Sequence, residues 1–190
     1  MKFKLTTLLT MLTVALFAQK TPSVAVLDFD TRGYDEVARY QIIQKLTLEM
    51  INMEGYEVID NYDVEYISER DGIDFTGCFS RICLKELGEK LEVDFILTGS
   101  MNLLGEKVST TVRLFDVAQG SFVNSANRNY VDVPKNDLLM AELTLKDMMG
   151  LENDPELVRT VTVANDYENI LNNPFDRTIV AEGPRMGFGF

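Results

Sequence analysis

Histidine is absent from the 190 residues, and only two cysteines occur. A structural zinc site needs four Cys or His ligands, so this chain cannot assemble one from its own residues of those types. Without a histidine base, or a serine or cysteine in an activated setting, the ordinary hydrolytic constellations are missing too. Basic residues are also few, with 18 Lys and Arg against 30 Asp and Glu for a formal net charge of −12. Such a polyanionic surface repels phosphate backbones and anionic headgroups, which excludes nucleic-acid binding through a basic face. The excess acid serves solubility.

Long hydrophobic runs are lacking as well. The longest, Leu5 to Phe17, is 13 residues without a charge. A spanning helix needs about 20. Lys2 and Lys4 precede the run and Ala18 stands before Gln19, the pattern of a secretory signal peptide over residues 1–18. Its removal takes two lysines away and leaves −14 on residues 19–190. No cysteine stands near the cut, so the expected product is exported but not a lipoprotein.

In an exported chain, an even cysteine count favours a disulfide, here Cys78 with Cys83. Free thiols or a metal-bound pair are the alternatives.

What is present is an α/β pattern over residues 19–150. The organising stretch is Leu91 to Phe115. Val93, Phe95, Ile96 and Leu97 form a doubly buried strand reaching Gly99, and a turn at Gly105-Glu106-Lys107 leads to a second strand. In that second strand Val108, Thr110, Val112 and Leu114 alternate with Ser109, Thr111, Arg113 and Phe115, so one face meets a core. Upstream, Ser23–Asp30 reads as a central strand with Val24, Val26 and Phe29 set against Ala25 and Leu27. Residues 35–53 read as the longest helix, its apolar face made by Ile42, Ile43, Leu46, Met50 and Met53. Core packing outweighs a ligand groove as the use of the two methionines.

A short strand follows at 56–60, then a helix begun by Asp60 or Asn61 carrying Val64, Tyr66 and Ile67. A third helix runs from Ser80 to Leu91, with Ile82, Cys83, Leu84, Leu87 and Leu91 inward. No glycine-rich loop joins the first strand to its helix, so no nucleotide site of the usual kind is indicated. After a strand at 122–130, an amphipathic helix is expected before Leu151. The order β-α-β-α-α-β-β-β predicts a mixed sheet with helices mainly on one face.

Asp28 and Asp30 at the end of the first strand, with Asp60, are the candidate metal carboxylates. Turn and cap duties are the simpler use of such groups.

Five short patterns, ValAlaValLeuAspPheAsp, GlyTyrGluValIleAsp, GlyCys with a second Cys five residues on, LeuGlyGluLysLeuGluValAspPheIleLeuThrGlySer and ArgLeuPheAspValAlaGlnGly, occur in this order. Together, over residues 23 to 130, they resemble the bacterial envelope domains related to the curli-secretion channel subunit and the TolB amino-terminal domain. The resemblance implies a non-catalytic α/β domain, without cofactor, that makes protein contacts in the Gram-negative envelope. Its partners would be envelope proteins, outer-membrane components or further copies of itself. The chain departs from the channel subunit in lacking a lipid-bearing cysteine and a pair of membrane hairpins.

Residues 151–190 hold seven acidic and three basic residues with two Asx-Pro turns, and read as a linker and tail. At 183–190, Met186, Phe188 and Phe190 alternate with Arg185, Gly187 and Gly189, the two-residue repeat of a barrel strand. Such a strand contacts a membrane or another sheet only in company, because alone it cannot satisfy its edges. A disordered tail is the other reading. Two functions stand: a non-enzymatic interaction or assembly module, and an oligomeric transport, secretion or pore component whose C-terminal segment begins or joins a barrel.

Overall fold

In the computed structural model, which describes residues 20–74, 77–133 and 135–162, the all-apolar start of the first strand becomes β1 (Ser23–Arg32), at the centre of the molecule. The segments expected as signal peptide and as terminal strand lie outside the described residues. The chain continues through α1 (Glu36–Asn52), β2 (Glu57–Ile59), α2 (Asn61–Asp71), α3 (Arg81–Leu91), β3 (Phe95–Leu104), β4 (Lys107–Asp116) and β5 (Ser121–Val131). Two further helices close it, α4 (Asp137–Met148) and α5 (Pro155–Thr162). The five strands form one mixed sheet in the order β2-β1-β3-β4-β5, with β1 parallel to both neighbours and β3, β4 and β5 antiparallel. This is the expected α/β class and element order.

Local chemistry sets the helix starts. The Asp35 carboxylate accepts from the Ala38 N–H at 2.8 Å, Asp60 accepts from Tyr62 and Asp63, and the Ser80 hydroxyl accepts from the Cys83 N–H. Each side chain satisfies backbone donors that a helix leaves open in its first turn.

Both sheet faces are covered. On one, α1, α4 and α5 enclose a core of Val24, Val26, Phe29, Leu97, Met101 and Val112 against Ile42, Leu46, Met50, Met140, Leu143 and Val161. On the other, α2 and α3 bury Ala25, Leu27, Ile96 and Phe115 beneath Val64, Leu84 and Leu87. Three of five helices therefore share a face, as expected, but the opposite face carries a second core. Each fully buried Leu, Phe or Met contributes about 1.5–3 kcal/mol. Helix α5 occupies the start of the stretch read as a linker, and its Val161 is fully buried.

One irregularity in β1 determines how the larger core is filled. Val26 pairs with Leu97 but Phe29 pairs with Gly99, so β1 carries an extra residue there. The bulge reverses the alternation and sends Phe29 to the same side as Val26. Its ring lies over Gly99, where a Cβ would stand 2.5 Å from the Phe29 ring and 2.1 Å from the Thr111 carbonyl oxygen. The strand expected to stop at Gly99 continues to Leu104 because Met101 returns to the core.

Polar ties join the layers. Lys45 on α1 meets Glu142 on α4 at 2.7 Å, and Lys146 meets the other oxygen of the same carboxylate. Burial alone would push the Glu142 carboxyl up, but the hydrogen bonds from Lys146 and Lys45 outweigh it and hold the group below its usual range. Deep under β5, the Tyr130 and Thr144 hydroxyls lie 2.9 Å apart.

Candidate functional site

Strand β2 has only three residues and pairs with Ser23, Val24 and Ala25. Among the described residues, β1 therefore has no strand beside it on that edge beyond Ala25. The gap is a cleft of about 370 Å³, floored by Val26, Leu27 and Asp28 and walled by Arg39, Tyr40 and Ile43 of α1 and by Asn61, Val64, Glu65 and Ser68 of α2. It lies beyond the carboxyl end of β2, beside the middle of β1 and between α1 and α2.

Several polar groups of the cleft are tied down by neighbours. Asp28 accepts from the Phe29 N–H at 2.9 Å and faces Arg39 at 3.5 Å. At the rim, Gln44 donates to the Asn61 side chain at 2.7 Å and to the Tyr40 hydroxyl at 3.1 Å, and Tyr40 donates to the Tyr62 hydroxyl at 2.6 Å.

The structure gives the sequence candidates other duties. Asp30 faces Arg32, Asp60 caps α2, and Asp28 holds the bulge, so the three carboxylates do not converge. Among the described residues no three His, Cys, Asp or Glu side chains are placed to hold a metal ion. Met50 is in the core and Met53 packs against it. Cys78 and Cys83 are sulfur-bonded with their Cα atoms 5.6 Å apart, Cys78 in the smaller core and Cys83 partly buried against it.

Ile82, expected inward, points out and is 75% exposed; Tyr66, placed on its helix without an assigned side, is 64% exposed. Tyr66 belongs to a surface that sequence reasoning missed. Val37, Tyr40, Leu48 and Ile51 form an exposed stripe along α1, and Tyr62 and Tyr66 continue it on α2. Positions 37, 40, 44, 48 and 51 recur at helical spacing, a second stripe beside the core face that could have been read in advance. Between Val37 and Ile51, the exposed positions Tyr40, Gln41 and Leu48 carry no charge.

No protein-family model and no curated protein matches the chain. Several solved structures match by fold. Lipoprotein GNA1162 from Neisseria meningitidis aligns over 83% of this chain and 99% of its own, at 16% identity and a TM-score of 0.50. The LpoB C-terminal domain from Escherichia coli aligns over 63% of this chain and 92% of its own, at 12% identity and a TM-score of 0.49. TolB from Acinetobacter baumannii aligns over 70% of this chain and 28% of its own, at 12% identity and a TM-score of 0.42. At such identities the likeness is one of fold. No helix among the described residues is long and apolar enough to cross a membrane.

Proposed function

We propose that this chain is a non-enzymatic protein-interaction module of the bacterial cell envelope that docks another envelope protein on the α1–α2 face. The observation that carries the reading is the uncharged stripe of Val37, Tyr40, Leu48 and Ile51 with Tyr62 and Tyr66 beside it. Contiguous apolar surface with a polar border is the usual mark of a contact site, and tyrosine is enriched where partners meet. The cleft next to the stripe suits a partner's side chain, because Asp28 at its floor already meets Arg39 and Asn61 at its wall already accepts from Gln44. The fold likeness to a lipoprotein of Neisseria meningitidis and the sequence patterns of residues 23–130 support the same address. With no cysteine near the expected cut, the exported form is read as unlipidated, in the periplasm or at the outer membrane, with membrane contact confined to 183–190.

The test is a photo-crosslinking residue placed in turn at Tyr40, Tyr62 and Tyr66 in the producing cell, with Leu104, 63% exposed at the β3–β4 turn, as the control. One common adduct from the three tyrosine positions and none from Leu104 is expected. Equal labelling from all four would refute the docking face. An adduct of the chain with itself would favour the self-assembling transport component instead.

A further inference from the structure

At the sheet edge remote from the tyrosine stripe, positive charge gathers on a chain that is acidic overall. Arg113 of β4 lies over the Phe122 ring with its guanidinium carbon 4.5 Å from the centroid, and Arg81, the first residue of α3, lies 5.9 Å from the same centroid. Phe122 rests edge-on against Phe115 at 5.3 Å, which fixes the ring as a platform for both cations. Lys85, one turn after Arg81 on α3, reaches the Gly120 turn that opens β5.

Lys85 meets Glu89 at 4.0 Å, but three observations show that the two guanidinium charges are not neutralised from within. The buried Nε of Arg113 has no hydrogen-bond partner. Burial alone pushes the pKa of Arg113 down, with no carboxylate acting to hold it up. Among the described residues, Arg81 and Arg113 make no ion pair, whereas Arg32, Arg39, Lys45, Arg70, Arg128 and Lys146 each meet a carboxylate. The helix end is likewise unbalanced. Helices α1, α2, α4 and α5 carry Glu36, Asp63, Asp137 and Glu156 in their first turns, but α3 has no acidic residue there and begins with Arg81. An acid at that end is ordinarily stabilising.

We propose that the Arg81–Phe122–Arg113 corner binds a carboxylate side chain of an acidic, apolar-flanked peptide segment of a partner protein. Guanidinium groups held on an aromatic ring present their outer N–H donors in the plane a carboxylate requires. Ile82, the next residue of α3, is 75% exposed beside them, an apolar neighbour that an inorganic anion would leave uncovered. Among the described residues β5 is an edge strand of the sheet, so an extended segment can lie along it. This site shares no residue with the tyrosine stripe, so either can fail without the other.

The experiment follows the Arg113 Nε–H signal and the Phe122 ring protons by NMR in the exported chain. The probe is a terminally blocked hexapeptide alternating Val and Glu, compared with its Val and Gln counterpart and with inorganic phosphate. A saturable shift with the Glu peptide is expected, weakened about tenfold by R81Q, more by R113Q, and absent with the Gln peptide. Arg81 is exposed, so R81Q keeps the test valid if R113Q fails to fold. No shift with the Glu peptide, an equal response to the Gln peptide, tighter saturation by phosphate, or an R81Q affinity equal to that of the unaltered chain would each overturn the assignment.

Discussion

Replacing Gly99 with Ala adds one methyl group, and the surrounding geometry determines the sign of the effect. In open space, Gly to Ala in a strand favours folding by roughly 0.5–1 kcal/mol, because alanine has less backbone freedom to lose. Here the new Cβ would stand 2.1 Å from the Thr111 carbonyl oxygen of β4 and 2.5 Å from the Phe29 ring. Neither neighbour is the free end of a flexible chain. The carbonyl belongs to a strand held on both sides, and the ring is 1% exposed in the larger core. Overpacking of this kind costs about 1–3 kcal/mol; with two rigid neighbours the upper end applies, and after the backbone gain G99A should destabilise by about 2 kcal/mol net. For a domain of this size that lowers Tm by roughly 4–8 °C. Thermal and urea unfolding followed by circular dichroism measure it. Adding F29L removes the lesser obstacle only, because the tighter contact is to backbone. The double-mutant cycle should therefore return a coupling below about 1 kcal/mol. An unchanged or raised Tm for G99A would refute the close approach of β3, β4 and the Phe29 bulge.

Three further outcomes are expected. Glu142 has a folded pKa below its unfolded value, so the stability it contributes is full above the unfolded pKa and is lost as pH falls through the folded one. E142Q should cost roughly 1 kcal/mol at pH 7 and flatten the acid limb of a stability profile, whereas a limb as steep as before would place the titrating group elsewhere. Because Thr144 donates to the Met140 carbonyl at 2.8 Å, Tyr130 must donate to Thr144. T144V then strands a buried donor and should cost about 1–3 kcal/mol, while Y130F should cost only about 1 kcal/mol or less; the reverse order in urea melts would contradict the donor assignment. Reduction of the Cys78–Cys83 bond, which closes a loop of sequence separation 5, should lower stability by roughly 2 kcal/mol. An intact mass of residues 19–190 without the loss of two hydrogens would show that the bond is not formed in the cell.

Much of the architecture could be read along the chain, because it depends on neighbours in sequence. The alternation of Val108, Thr110, Val112 and Leu114 placed β4, and the run around Ile96 placed β3. Asp60 and Ser80 marked helix starts. Asp154-Pro155 was a harder case. Proline suits the first position of a helix as well as a turn, and the Asp154 side chain accepts from the Glu156 N–H at 2.9 Å to begin α5. The spacing of Val158 and Val161 was the available signal, but over eight residues it is too short to outweigh the turn reading. The second covered face was also hidden, since Leu84 and Leu87 show that α3 has a buried side without showing which side of the sheet receives it.

The functional surfaces were less legible, because each depends on residues that only folding brings together. Nothing in the sequence assigns Tyr66 a side of its helix, and only the path of α2 beside α1 sets it with Tyr40 and Tyr62 on one exposed surface. The basic corner is the sharper case. A net charge of −12 is a sum over the chain, and a sum carries no information about position. Arg81, Arg113 and Phe122 come from a helix and two strands, and the antiparallel turn between β4 and β5 sets the platform beside one cation while α3 lays the other across it. Excess acid elsewhere makes the corner more selective. Long-range repulsion, screened beyond about 8 Å at physiological salt, turns away polyanions at large, whereas a single carboxylate on a peptide meets the guanidinium groups at contact distance.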